Sequence, residues 1–277
     1  MRQIWIGRLR AVLFGATLGM LALYPREAMD AARTACRVWA TDVMPALFPY
    51  MVLSQLLKSA IRSPLVTVPL AMLGGSPAGS RLIALSGFEK PQAQRLSALC
   101  ATASPLFILG TLRGGFPMLL AHWLGAFVAW AFVSLLPGGK GGRTVPTGTV
   151  TPALRVSLPE IIRDASLSMI TVCGCMALFS VLTALLSQLL PLSPGLSAAL
   201  GATLEMATGC VRIQSLRLPV HWTAALSCAA VSFGGLSIFI QNAIFLRPTG
   251  INLRTQLAAR IVHGLVAFLL CLFFYRS

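Results

Sequence analysis

Charge is scarce in this chain. Only 10% of its 277 residues are Asp, Glu, Lys or Arg, where a soluble domain carries about 25%. That shortage excludes an ordinary water-soluble fold. Acids are scarcer still, at 7 against 22 basic residues, for a formal net charge of +15. Enzyme signatures are missing as well: there is no P-loop, no H-E-x-x-H, no G-x-S-x-G and no carboxylate-rich metal signature. The expectation is a protein that is not an enzyme and holds no metal or organic cofactor. The seven cysteines lack C-x-x-C spacing and sit mostly in apolar stretches, so they read as small buried hydrophobes. Aromatic residues do not interleave with the basic ones, which lie mostly between apolar segments. Nucleic acid is therefore not an expected partner.

What the chain has in abundance is apolar length. Residues 96–112, 116–136, 165–190, 222–246 and 257–274 reach or approach the ~20 residues that cross a bilayer. The fold class this implies is an all-α polytopic membrane protein with the lipid bilayer as its constant partner. A first apolar segment, residues 4–23, follows Arg2 and brackets Arg8 and Arg10, and reads as a retained helix rather than a cleaved signal peptide. Residues 25–38 mix charge with apolar positions and read as an interfacial amphipathic segment. Pro45 and Pro49 predict a bend in the following helix, which also carries Asp42.

Two short polar runs break the apolar sequence at matching places. The first is Gly74-Gly75-Ser76-Pro77-Ala78-Gly79-Ser80-Arg81, and the second is Glu205-Met206-Ala207-Thr208-Gly209-Cys210-Val211-Arg212. Each is followed by a segment interrupted by small polar residues and then by a His-bearing segment, with His122 in the first half and His263 in the second. Interrupted hydrophobic segments in corresponding positions of two halves point to a transporter's binding site.

Loop charge bears on whether the broken segments cross the membrane. If residues 63–90 and 193–219 are re-entrant hairpins and the N-terminus is cytoplasmic, the basic residues, Arg260 among them, divide as 14 inside, 6 outside and 2 within. If both segments cross, the division is 9 inside against 13 outside. The first arrangement obeys the positive-inside rule. Three crossings and one hairpin per half then invert the second half relative to the first. The expected organisation is an N-terminal transmembrane helix (1–24), the interfacial segment (25–38), a first repeat (39–136), a cytoplasmic basic loop (137–159) and a second, inverted repeat (160–277). That makes about seven transmembrane helices plus two re-entrant hairpins.

The candidate substrate-binding residues gather at these breaks. Arg81 and Arg212 are charges at membrane depth, which cost at least ~2.5–3.5 kcal/mol on insertion scales. Two readings stand: they face a central cavity and grip an anion, or they snorkel to lipid headgroups. Under the first reading, replacing each by Gln sharply reduces transport. Ser76, Gly79 and Ser80 accompany Arg81, and Thr208 and Gly209 accompany Arg212. Thr102, Ser104 and Pro105 interrupt one helix, and Ser232, Gly234, Gly235 and Ser237 interrupt the other, with Gln241 and Asn242 a turn further on. Unwinding there exposes half-helix ends, whose N-termini attract anions. Glu205 and Asp42 read as buried acids that carry a coupling proton or pair with Arg212 or another base. His122 and His263 read as interfacial hydrogen-bonding residues rather than a proton relay.

At these residues the chain resembles a known family, the sporulation integral membrane proteins of the YlbJ (SpoVV) type, which belong with the nucleoside-recognition gate proteins. The resemblance is carried by Trp39 to Pro49, Ser76 to Leu82, Thr102 to Gly110, His122 to Gly125, Leu204 to Gly209, Phe233 to Ser237 and Arg260 to Gly264, in family order. The chain departs from the family pattern at Ser76, Ala101, Ala103 and Cys210. The resemblance implies a fold similar to the concentrative nucleoside transporters and a role in endospore formation. It also implies movement of dipicolinic acid, a small aromatic dicarboxylate, across the mother-cell-derived outer forespore membrane. Carriers of nucleosides or other organic anions, and a non-transporting component of a sporulation membrane complex, stand as alternatives. The coupling ion (proton or sodium), passive flow, and the oligomeric state, a homo-oligomer included, stay open.

Overall fold

The computed structural model describes residues 2–56, 63–136 and 157–276, and every regular element among them is helical. Most of the basic loop, residues 137–156, lies outside the described residues, as do Lys58, Arg62, Lys140, Arg143 and Arg155 of the charge division.

Helix α1 (Arg2–Leu23) is followed at once by α2 (Pro25–Val38), with Pro25 in the first helical turn where its missing N–H costs nothing. A π-turn at Trp39–Val43 then leads into α3 (Met44–Leu56), which carries Pro49 inside it. Pro45 offers no N–H to the Thr41 carbonyl, and the wider i→i−5 ladder of the π-turn absorbs that loss just before it.

Each half also holds one pair of short helices. In the first, α4 (Pro64–Gly74) and α5 (Ala78–Leu85) pack against each other. In the second, α9 (Pro194–Leu204) packs on α10 (Met206–Ser215). Both pairs begin alike. Ser63 and Ser193 cap the first helix, accepting from Leu65 N at 3.3 Å and Leu196 N at 3.4 Å, and a proline follows each serine. At ~1.5 Å per residue an 11-residue helix is ~16 Å long, about half the ~30 Å of a hydrocarbon core. Each helix is too short to cross by itself.

After the first pair, α6 (Lys90–Cys100) ends in non-helical backbone at Ala101–Ser104 before a helical turn ending in the π-turn Phe107–Thr111. After the second, α11 (Val220–Phe233) breaks at Gly234 before α12 (Gly235–Leu246). The His-bearing helices α7 (Gly115–Leu135) and α13 (Leu253–Phe274) pack directly on each other. Between the halves runs α8 (Leu158–Leu189), 32 residues and so ~48 Å long. It opens with a capping box in which Ser157 N–H donates to Glu160 at 2.9 Å. The basic loop therefore gives way to helix at Leu158.

Among the described residues, four stretches are long and apolar enough to cross a membrane: Gly115–Leu135, Leu158–Leu189, Val220–Thr249 and Leu253–Phe274. Polarity is turned inside out relative to a soluble protein. Leu65, Phe116, Leu135, Ile170, Leu265 and Leu269 are exposed, while Glu205, Arg260, His122, His263, Gln241 and Asn242 are buried. An apolar exterior around a polar interior is stable only where the surroundings are lipid.

Candidate functional site

The hairpin tips and the helix breaks meet. At the first tip, Gly75 has φ +68°, a region a side chain rarely adopts, and a Cβ there would collide with the Ser104 backbone. The Ser76 N–H donates to the Thr102 carbonyl, tying the tip to the non-helical backbone of the break. At the second tip, Gly235 has φ +69° and a Cβ on it would stand 3.1 Å from Met206 N and 3.2 Å from the Leu204 carbonyl oxygen. Each tip thus rests on the break of its own half. The halves also touch through Asn242, whose Nδ2 donates to Ser76 Oγ at 3.4 Å.

Where these parts converge lies a cavity of ≈ 360 Å³, within the range of small-molecule sites. One wall is the π-turn and the start of α3, with Thr41, Asp42, Pro45 and Leu47. Ser76 and Pro77 enter from the first tip, and Ala103, Ser104, Leu106 and Phe107 from the first break. Glu205, Met206 and Ala207 enter from the second tip, Ile238 and Gln241 from α12, Val172 and Met176 from α8, and Arg260 from α13.

Four of the candidate substrate-binding residues line this cavity: Ser76, Ser104, Glu205 and Gln241. Ser104 Oγ accepts from Phe107 N at 3.2 Å and caps the turn that Pro105 opens. Gln241 donates to Ser237 Oγ at 3.2 Å, which spends its amide within α12. Glu205 is 3% exposed and caps α10, accepting from Ala207 N at 3.1 Å, Thr208 N at 2.7 Å and Thr208 Oγ1 at 2.9 Å. It makes no ion pair with Arg212: the first turn of α10 supplies its hydrogen bonds instead. Asp42, expected to be buried, is exposed at the cavity wall and accepts from the Thr41 hydroxyl at 2.6 Å.

The remaining candidates lie behind the wall. Thr102, Ser232 and Ser237 are fully buried, and Gly234 and Gly235 form the second break. Ser80 is buried with no partner for its hydroxyl, and Gly79 is wedged between the Ala71 and Cys100 carbonyls. Gly209 lies against the backbone of Ala202.

Neither hairpin arginine lines the cavity. Arg81, 7% exposed, is paired with Asp164 of α8. Arg212 donates to Ser197 Oγ at 2.8 Å, the Ser197 carbonyl at 3.1 Å and Ser187 Oγ at 3.1 Å, fastening α10 to α9 and α8. These contacts differ from both sequence readings, because each guanidinium finds its partners inside the protein. The signal for Asp164 was available, since an embedded arginine needs a carboxylate and the chain has only 7 acids. The pair is lopsided, with side-chain exposures of 8% for Arg81 and 60% for Asp164. Asp164→Asn strands a buried cation, whereas Arg81→Gln leaves an exposed carboxylate. We expect Asp164→Asn to cost roughly 3 kcal/mol and to lower the melting temperature of the detergent-purified protein more than Arg81→Gln does. Equal shifts would contradict the assignment.

Sequence reasoning missed the cation that does line the cavity. Arg260, counted among the cytoplasmic loop charges, is 2% exposed and reaches the cavity from α13. Without it the division is still 13 inside against 6 outside, so the charge rule survives the correction. Its signals were its place inside the apolar stretch 257–274 and three residues before His263, on the same helical face.

The histidines form a directed chain beside it. Ala103 N–H donates to His122 Nε2 at 3.0 Å, so that nitrogen carries the lone pair and Nδ1 carries the proton, which faces Ser232 Oγ at 2.7 Å. His263 Nε2 faces the His122 carbonyl at 2.8 Å and must donate, leaving Nδ1 to accept from Arg260 Nη1 at 3.3 Å. Both rings are fully buried, 4.7 Å apart between centroids. They are core residues that tie the first break, the second break and Arg260 together, not interfacial ones.

The inverted polarity and the four apolar spans among the described residues define an all-helical integral membrane protein. The chain is similar to the sporulation integral membrane protein YlbJ of Bacillus subtilis (strain 168), at 25% identity over 88% of this chain and 76% of that protein. This likeness supports the assignment of the chain to the YlbJ family. No family model matches the chain, and no solved structure matches it.

Proposed function

We propose that the protein is a carrier of a small anionic solute, dipicolinate, across the outer forespore membrane during endospore formation. It is a transporter and not an enzyme. The observation that supports this most is the convergence on one cavity of both hairpin tips, the first helix break and the helix turns on either side of the second. Non-helical backbone at membrane depth is tolerated where it is buried in protein or lines a cavity, and in secondary transporters such breaks surround the solute. The short helix pairs fit re-entrant hairpins, and with α1 the chain then has about seven crossings in two inverted repeats. The similar starts of α4 and α9, the two breaks, and His122 facing His263 support that repeat. Rocking one half against the other would open the cavity to each side in turn.

The test is uptake into liposomes that contain the purified protein and enclose terbium ions, whose luminescence rises when dipicolinate binds them. We expect a saturable rise that empty liposomes lack. A signal equal to that of empty liposomes overturns the carrier reading.

A further inference from the structure

We infer that Arg260, set against the first turn of α12, which no side chain caps, forms a carboxylate subsite in the cavity wall, taking small aromatic carboxylates. This deepens the carrier reading and rests on it only for the claim that the bound solute is then moved.

The argument begins with what Arg260 lacks. Arg260 belongs to neither the Arg33–Asp30 nor the Arg81–Asp164 pair, and among the described residues no carboxylate pairs with this buried guanidinium. A buried charge left unpaired is strongly unfavourable. The neighbour that Arg260 does have cannot neutralise it. His263 accepts through Nδ1 because its other nitrogen is committed to the His122 carbonyl. The imidazole therefore holds one edge of the guanidinium, while Nε has no hydrogen-bond partner.

A second positive feature stands beside it. Gly234, with φ +84°, is the N-cap residue of the 12-residue helix α12, and no side chain caps that helix. A Cβ on Gly234 would stand 3.3 Å from Arg260 Nη2, so the guanidinium lies against the start of α12. Free N–H groups and the helix dipole favour an anion there, and the planar fork of arginine matches a carboxylate.

The rest of the wall selects the body of the ligand. Leu106, Phe107, Val172, Met176 and Ile238 are apolar and suit a flat aromatic ring. Of the two acids in the wall, Glu205 accepts from the first turn of α10 and Asp42 from the Thr41 hydroxyl. They leave Arg260 as the one cation among the described lining residues.

Isothermal titration of the full-length protein in detergent tests this with dipicolinate, pyridine-2-carboxylate, benzoate and the neutral pyridine-2,6-dicarboxamide. On the unaltered protein the carboxylates should bind, and the diamide should bind at least about tenfold more weakly than dipicolinate. Arg260→Gln should weaken carboxylate binding on the order of 30-fold, and Arg260→Lys by less. Arg81→Gln and Arg212→Gln should stay within about threefold of the unaltered protein, since neither residue lines the cavity. The inference is overturned if the diamide binds as tightly as the diacid, if no carboxylate binds, or if monodisperse Arg260→Gln protein binds normally. The diamide comparison needs no variant, so it decides even if Arg260→Gln does not fold. Arg260-dependent binding without liposome uptake would uphold the subsite and reject the carrier. Normal dipicolinate uptake by Arg260→Gln would do the reverse.

Discussion

An alanine at Gly79 or at Gly209 is expected to destabilise the protein by about 3 kcal/mol or more, at or beyond the upper end of ordinary overpacking. The methyl group at Gly79 would stand 2.6 Å from both the Ala71 and the Cys100 carbonyl oxygens. Ala71 is in α4 and Cys100 ends α6, so the methyl is caught between backbones on two sides. At Gly209 it would overlap the Ala202 backbone across the second hairpin. Side chains can rotate away from such a clash, but backbone carbonyls in packed helices cannot. The hairpins close only because these two positions have no side chain. Gly174, in the middle of α8 with nothing within 4 Å of its Cβ position, is the internal control. There alanine should be neutral or stabilising by up to about 1 kcal/mol, from helix propensity alone. Melting of the detergent-purified variants reads all three. Unchanged melting for both Gly79→Ala and Gly209→Ala would show that the hairpins are not packed in this way.

His122→Ala should be the most damaging of the polar replacements. His122 is fully buried, and its two ring nitrogens serve Ala103 in the first break and Ser232 in the second. Alanine leaves the Ala103 N–H and the Ser232 hydroxyl without partners and opens a void beside His263. Orphaned buried groups cost about 1–3 kcal/mol each, and the void adds to that, so a total of roughly 4 kcal/mol is expected. Glutamine presents one acceptor and one donor at similar reach, so His122→Gln should recover part of the stability and of the dipicolinate uptake. A histidine needed only for its bulk would instead be rescued by leucine. Better rescue by leucine than by glutamine would reject the hydrogen-bonding role.

How much of this was legible in the sequence differs from element to element. The apolar spans and the two broken runs were readable, because hydrophobic length and helix-breaking glycines are local properties. Ser76, Ser104, Glu205 and Gln241 were found for the same reason, since each sits at or just beyond a break. Partner choice was not readable. Arg81 and Arg212 look alike in sequence, yet one meets Asp164 of α8, 83 positions away, and the other meets Ser187 and Ser197. Arg260 looked like a loop charge, because the sequence does not say which face of α13 is turned inward.

By itself, then, the sequence determined that this is an all-helical membrane protein with two polar interruptions in matching places. Lipid demands apolar length and satisfied backbone, and both demands are written locally along the chain. The tertiary structure alone decided which polar groups face the cavity and which only hold the walls. Hydrogen-bond partners in a membrane interior come from distant helices, and the 2% exposed Arg260 and the 7% exposed Arg81 are told apart only by what the fold sets beside them.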